Sequence, residues 1–316
     1  MKYALKRIGI LLITMLLVSF LTFLAFDLVS GDPAATILGT DATPAQIASL
    51  RAELHLDRPL PVRYGLWLLG FFSGNLGTSY TYRQPVWSLI APKLELTLIL
   101  SFMSFAIIVL ISIPAGIFSY RKVGGRFDWI RTLFNQLCMA VPPFFTGILF
   151  SWIFGITFKL FTPGDFPDIH GNAPAALKHL FFGAVALSIP RIAMTLRMMR
   201  STVISEMNKA YVRTAISRGN DRRRVLLVHV LKNSMLSVIT FLGQTLAELV
   251  GAGIVVEQVL GIPGLGRFLV TSISRRDYPV VQAIVVILAF WVVTAGTAAD
   301  LLNIAIDPRL RTDEDA

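Results

Sequence analysis

The chain of 316 residues is 54% hydrophobic and only 15% charged, with 29 Lys+Arg against 19 Asp+Glu and a formal net charge of +10. Soluble domains carry roughly 25% charged residues, and a nucleic-acid binder would use the positive charge without needing a mean hydropathy of +0.67 or apolar runs long enough to cross a bilayer. The 22 Phe and 5 Trp exclude disorder and the lone Cys138 excludes a disulfide scaffold, which leaves an all-α polytopic membrane protein.

Lipid satisfies no backbone polar group, so each crossing must be a helix. The first of six predicted spans runs from about Ile8 to Phe26, behind Lys2, Lys6 and Arg7; its apolar stretch exceeds a cleavable signal and reads as an uncleaved anchor. The outer segment that follows, to Lys93, contains Thr43, Pro44 and Gln46, a capping box that opens a short helix. After Pro61 comes a stripe of Tyr64, Trp67, Leu68, Phe71 and Phe72, read either as packing and interfacial belt or as an aromatic ligand box.

The second span covers about Leu94 to Tyr120 and the third about Leu133 to Phe158. Between the third and fourth, Asp165, Asp168 and His170 lie close together but in no recognised metal-ligand spacing, so a solvated loop is the expectation and no metal is assigned. The fourth span, about Leu180 to Met199, is expected to be interrupted by Pro190. The fifth covers about Met235 to Val256 and the sixth about Val280 to Ile304. Intramembrane charges are expensive in lipid and therefore candidates for function. Arg191 in the fourth span and Glu248 in the fifth either line a translocation pathway or pair with each other. Gly243, Ala247 and Gly251 beside Glu248 are spaced to let another backbone approach.

Six crossings put both termini on one side. With the N-terminus inside, 18 of the 29 Lys and Arg fall on the inner side and 10 outside, so both termini are expected to be cytoplasmic. Nine of these residues lie in or beside the loop 200–233, where Tyr211, Thr214, Ala215 and Arg218 recur at helical spacing and Gly219 suits a C-terminal cap. A short cationic helix of this kind is either a dock for a cytoplasmic partner or an amphipathic helix on anionic headgroups. The chain divides into an anchor with its outer loop (1–93), a transmembrane core (94–305) and a tail (306–316).

A run of short motifs in order resembles one family over nearly the whole chain. They are Gly31-Asp32-Pro33, Leu56-Asp57-Arg58-Pro59-Leu60, Gly77-Thr78-Ser79 and Val141-Pro142, then Tyr211-Val212-Arg213-Thr214-Ala215 with Gly219, His229, Leu231 and Asn233. Pro263-Gly264-Leu265-Gly266-Arg267, Arg276-Asp277-Tyr278-Pro279, Asp300-Leu301-Leu302 and Asp307-Pro308-Arg309 follow. Together they resemble the permease subunits of binding-protein-dependent ABC importers, in the branch that carries dipeptides, oligopeptides and nickel. Ala210, Glu206, Asn220 and Ser237 depart from the family's usual pattern.

The resemblance implies a type I importer permease fold in a bacterial inner membrane, a second homologous permease subunit, two cytoplasmic ATPases and an extracytoplasmic binding protein. Glu206, Tyr211, Val212, Arg213, Thr214, Ala215, Gly219, His229 and Asn233 would form the ATPase-coupling region, with Tyr211 and Ala215 facing the ATPase. Pro263, Gly264, Gly266, Arg267, Arg276, Asp277 and Tyr278 would face the binding protein. No G-x-x-x-x-G-K-[ST] loop is present, so ATP and magnesium are expected on the partner subunits and no catalysis or cofactor in this one. The competing reading is a secondary transporter or channel driven by an ion gradient, which would show broken helices and internal repeats.

Overall fold

The computed structural model describes residues 2–29, 34, 38, 42–53, 56–119 and 124–306. Helices α1 (Lys2–Val29), α2 (Pro44–Glu53), α3 (Leu60–Phe72), α4 (Val86–Ser119), α5 (Arg126–Ala140) and α6 (Pro143–Phe150) come first, the last running on as a π-helical stretch, Ser151–Thr157. After α7 (Ala173–Met207) and α8 (Ala210–Ser217), a helical turn Arg222–Arg224 and a π-helical stretch Val225–Val230 lead into α9 (Leu231–Leu260). Then come α10 (Leu265–Ser274) and α11 (Tyr278–Ile306). Among the described residues there is no strand, only an isolated bridge between Thr78 and Pro85.

Five helices among the described residues are long and apolar enough to cross a membrane: Ile8–Leu28 of α1, Val86–Ser119, Ala173–Met207, Arg222–Leu260 and Tyr278–Leu302. The third predicted span is not straight. Its halves, Arg126–Ala140 and Pro143–Thr157, meet at 92°, and counting the bent pair as one crossing makes six. The cause is local: Pro142 and Pro143 supply no N–H, and a residue preceding proline is pushed out of helical geometry. Val141 accordingly sits at φ −76°, ψ 119° and Pro142 at φ −66°, ψ 143°.

Pro190 has the opposite outcome, and the expected interruption of the fourth span is corrected: α7 is unbroken from Ala173 to Met207. A proline here removes the hydrogen bond to the carbonyl four residues back, that of Ala186. Thr146 of α6 reaches that oxygen, its hydroxyl shared between the Ala186 carbonyl at 3.0 Å and its own Pro143 carbonyl at 2.8 Å. A neighbouring helix therefore offers a donor to the carbonyl that the proline leaves without its helical partner.

Helix α7 is central, in contact with α4, α5, α6 and α9. The core around it holds Leu100, Ile108, Leu180, Leu187, Met199 and Leu249, all buried. Helices approach closely at small residues. A Cβ on Gly116 would lie 2.7 Å from Met199, and one on Gly243 would lie 2.0 Å from the Ala299 Cβ. The Gly243 expectation is thus met, whereas Gly251 has nothing within 4 Å of such a Cβ.

The capping box of α2 forms as anticipated, with the Thr43 N–H donating to Gln46 Oε1 at 2.9 Å and the Gln46 N–H to Thr43 Oγ1 at 3.4 Å. The aromatic stripe of α3 packs on α1 instead of forming a box. Phe23 meets Tyr64 and Trp67 at ring distances of 5.6 and 5.9 Å, the Ser19 and Tyr64 hydroxyls are 2.8 Å apart, and Arg63 pairs with Asp27 at 2.5 Å. The Gly31-Asp32-Pro33 motif, Arg121, Lys122 and the chain from Asp307 onward lie outside the described residues.

Candidate functional site

The short helix α8 is held by one buried apolar side chain and one buried carboxylate. Val212 is 1% exposed and joins Val225, Leu226 and Val230 in the core. Glu206, in the last turn of α7, is 8% exposed and accepts from Lys209 Nζ at 2.5 Å and from the Tyr211 hydroxyl at 2.8 Å. The last turn of α7 and the first turn of α8 are thereby tied at one point. Burial, reinforced by Glu206, pushes the Tyr211 phenol up, and the hydrogen bond that the Lys209 ammonium donates to Glu206 holds it above its ordinary range.

The chain leaves α8 through Gly219, at φ +84°, a left-handed conformation that favours glycine. Its N–H returns to the Ile216 carbonyl at 2.9 Å, and Asn220 Nδ2 donates to the Ala215 carbonyl at 3.0 Å. Asn220, a departure from the family's apolar residue, thus works as a second cap. Tyr211 and Ala215 are both half-buried against the core because they share the face of Val212. The exposed face carries Arg213, Thr214, Ile216 and Ser217, and Arg218, Arg222, Arg223, Arg224, His229, Lys232 and Asn233 are exposed around it.

At the other end of α9 two buried acids organise the return of the chain. Glu257 is 0% exposed. Its Oε1 accepts from the Thr97 hydroxyl at 2.6 Å, and its Oε2 accepts the N–H groups of Gly266 and Arg267 at 2.7 and 3.1 Å. Thr97 Oγ1 in turn accepts the Leu265 N–H at 2.8 Å. The first three N–H groups of α10, which have no partner inside their own helix, are all satisfied, and the carboxylate sits at the positive end of the helix dipole. Gly264 leaves room for it, since a Cβ there would lie 2.3 Å from the carboxylate.

Asp277, 1% exposed, does the same for the turn at 79–82. It accepts from Ser79 Oγ at 2.5 Å and from the N–H groups of Tyr80 and Thr81 at 3.0 and 3.3 Å. Gly264, Gly266 and Asp277 are therefore interior, and the expectation that they face a binding protein is corrected: the loop's own capping bonds consume them. Arg276, at φ +55°, is exposed, while Pro263, Arg267 and Tyr278 are half-buried, with Arg267 donating to the Gly261 carbonyl at 2.7 Å.

Burial, with the Asp277 charge second, pushes the Tyr80 phenol up to about 12 from an ordinary 10.0. A raised pKa means that the folded state favours the neutral phenol. Its contribution is complete below pH 10.0 and is lost as pH rises through about 12. Tyr80→Phe should therefore flatten the alkaline limb of a thermal-stability profile over that interval; an unchanged limb would show that Tyr80 is not responsible.

Between the two ends, Arg191 of α7 and Glu248 of α9 form an ion pair at 2.6 Å, their side chains 22% and 56% exposed. The two thus pair in this structure, on helices that also meet where His179 Nε2 lies 3.0 Å from the Leu260 carbonyl oxygen. Asp168 takes the N–H groups of His170 and Gly171 at 3.2 and 3.1 Å, as expected of an ordinary loop. No group of three metal-ligating side chains occurs among the described residues.

Sequence reasoning did not single out Glu257 or Thr97. An acidic residue near the end of a span is unremarkable by position; the available signal was a carboxylate a few residues ahead of two glycines and a short amphipathic helix. It also did not find Asp128, which joins Arg131 and, at 2.8 Å, Arg200, tying the start of α5 to α7.

Residues 112–312 match the family described as "Binding-protein-dependent transport system inner membrane component", and residues 1–101 match "Binding-prot-dependent transport system membrane comp, N-term". The chain is 30% identical to the dipeptide transport system permease protein DppB of Escherichia coli (strain K12), over 98% of this chain and 99% of that one. It is 36% identical to a chain of Brucella abortus (strain 2308) provisionally named a peptide transport system permease protein, over 98% of both.

Proposed function

Since the chain belongs to the family of binding-protein-dependent transport system inner membrane components, we propose that it is the permease subunit of an ATP-driven importer of peptides. It sits in the inner membrane with both termini cytoplasmic, beside a second permease subunit. Two ATPases bind and hydrolyse ATP with magnesium on the cytoplasmic side, and an extracytoplasmic protein delivers the cargo. The names of the relatives favour peptides over nickel as that cargo.

The observation that carries this reading is α8: a helix outside the spans, pinned to α7 through Glu206 and packed by Val212 on the stretch that leads into α9, that exposes Arg213 and Thr214 inside a basic surround. Eight residues closed by a left-handed glycine make a rigid knob suited to a groove in an ATPase, and the arginines suit acidic groups at its rim. Nucleotide-driven closure of the ATPases moves the knob, and the α7–α9 unit transmits the motion to the pathway, opening it to each side in turn. Arg191 and Glu248 lie on that unit and line the pathway.

Vesicles containing the chain, its partner permease and both ATPases should accumulate labelled dialanine when ATP and the binding protein are supplied. Uptake that persists without the ATPases would overturn this reading in favour of an ion-gradient transporter.

A further inference from the structure

Helix α9 shows two different sides. Its exposed residues include Ser237, Gln244, Glu248, Gly251, Val255 and Gln258, the last five recurring at alternating steps of four and three, while Thr245, Ala247, Leu249, Val250 and Val256 between them are buried. That alternation is one straight line along a helix, about 21 Å from Gln244 to Gln258. Two glutamines and a glutamate in one line are unsuited to acyl chains, so the line faces water or a polar surface.

Glu248 lies on this line, and its ion pair with Arg191 falls in the middle third of both helices. His179 and Leu260 mark where the antiparallel α7 and α9 meet near one end, and Arg191 and Glu248 each lie twelve residues further along, about 18 Å. More than half of the Glu248 side chain is open. A purely structural pair in lipid would bury both charges against each other and their hydrogen-bonding neighbours.

Resting on the reading of the chain as a peptide importer's permease, we propose that Arg191 and Glu248 form a subsite for zwitterionic peptides. Arg191 takes the terminal carboxylate and Glu248 the terminal ammonium. The exchange is balanced: one internal ion pair opens and two form, and the site stays neutral with or without its cargo. A monovalent ion gains one partner only by stranding the other side chain, which a low-dielectric passage penalises. The termini of an extended dipeptide are about 7 Å apart, within the reach of two long side chains that swing away from each other. Gly251, with open space around it one turn from Glu248, leaves room for the peptide body.

The test uses the importer assembled in inside-out vesicles, in a Cys138→Ala background carrying Gln244→Cys or Gly251→Cys. Both positions should react with a trimethylammonium methanethiosulfonate, and dialanine should slow the reaction several-fold. N-acetyl-alanine amide, which has no charged ends, should not slow it, and protection should vanish when Arg191→Gln and Glu248→Gln are combined. Failure of both cysteines to react would sink the α9 line as a water-filled passage, and the subsite with it. Reaction without protection by dialanine, equal protection by the neutral amide, or protection that survives the double glutamine variant would overturn the zwitterion subsite alone. Dialanine uptake by the unmodified importer separately tests the peptide-importer reading.

Discussion

Glu257→Ala should lower the stability of the solubilised protein by about 4 kcal/mol, a fall in Tm of roughly 10 °C, because it orphans several buried partners at once. The N–H groups of Gly266 and Arg267 lose their acceptor, and the Thr97 hydroxyl loses the oxygen to which it donates. No solvent replaces them, since the site is fully buried. Glu257→Gln should fall between, because its carbonyl oxygen can keep the two N–H groups while its amide faces a hydroxyl already engaged by Leu265. Gly264→Ala attacks the same cap from the other side by placing a methyl where the carboxylate lies. A Tm unchanged in Glu257→Ala would mean that α10 does not depend on this cap.

The second large effect is on activity. Glu206→Ala should leave ATP hydrolysis by the assembled importer near its starting rate while transport per ATP falls roughly tenfold, the upper range for loss of a coupling contact. The carboxylate is the one group that touches both Lys209 and Tyr211, at either side of the entry to α8. Without it α8 keeps its Val212 anchor but loses its polar tie to α7, so motion at the ATPase is absorbed before it reaches the spans. Tyr211→Phe removes one of the two bonds and should show a smaller loss. Uptake and phosphate release measured in the same vesicles decide the matter: a parallel fall in both would mean that Glu206 serves assembly, not coupling.

Much of this molecule was legible in its residues, and the failures share a cause. Apolar length is a local property, so each predicted span overlaps an observed helix, and most of the helices begin several residues earlier. The two prolines that behaved differently could not be told apart by position. Pro142 stands beside Pro143 and bends its span by 92°, while Pro190 is accommodated by a hydroxyl from another helix. The motifs of the loop at 261–278 predict an outward role, yet the Gly266 N–H is capped by Glu257 and Asp277 caps the turn at 79–82.

Composition and order along the chain determined that this is a helical membrane protein with a basic, helix-bearing loop between its fourth and fifth spans, because hydropathy, charge asymmetry and short motifs require no knowledge of what lies opposite. Only the tertiary structure decided what the buried acids do. Glu257 meets Thr97 across 160 residues of chain and Asp277 meets Ser79 across 198. A carboxylate's role is set by the donors that surround it, and here the packing of helices distant in sequence brings those donors into place.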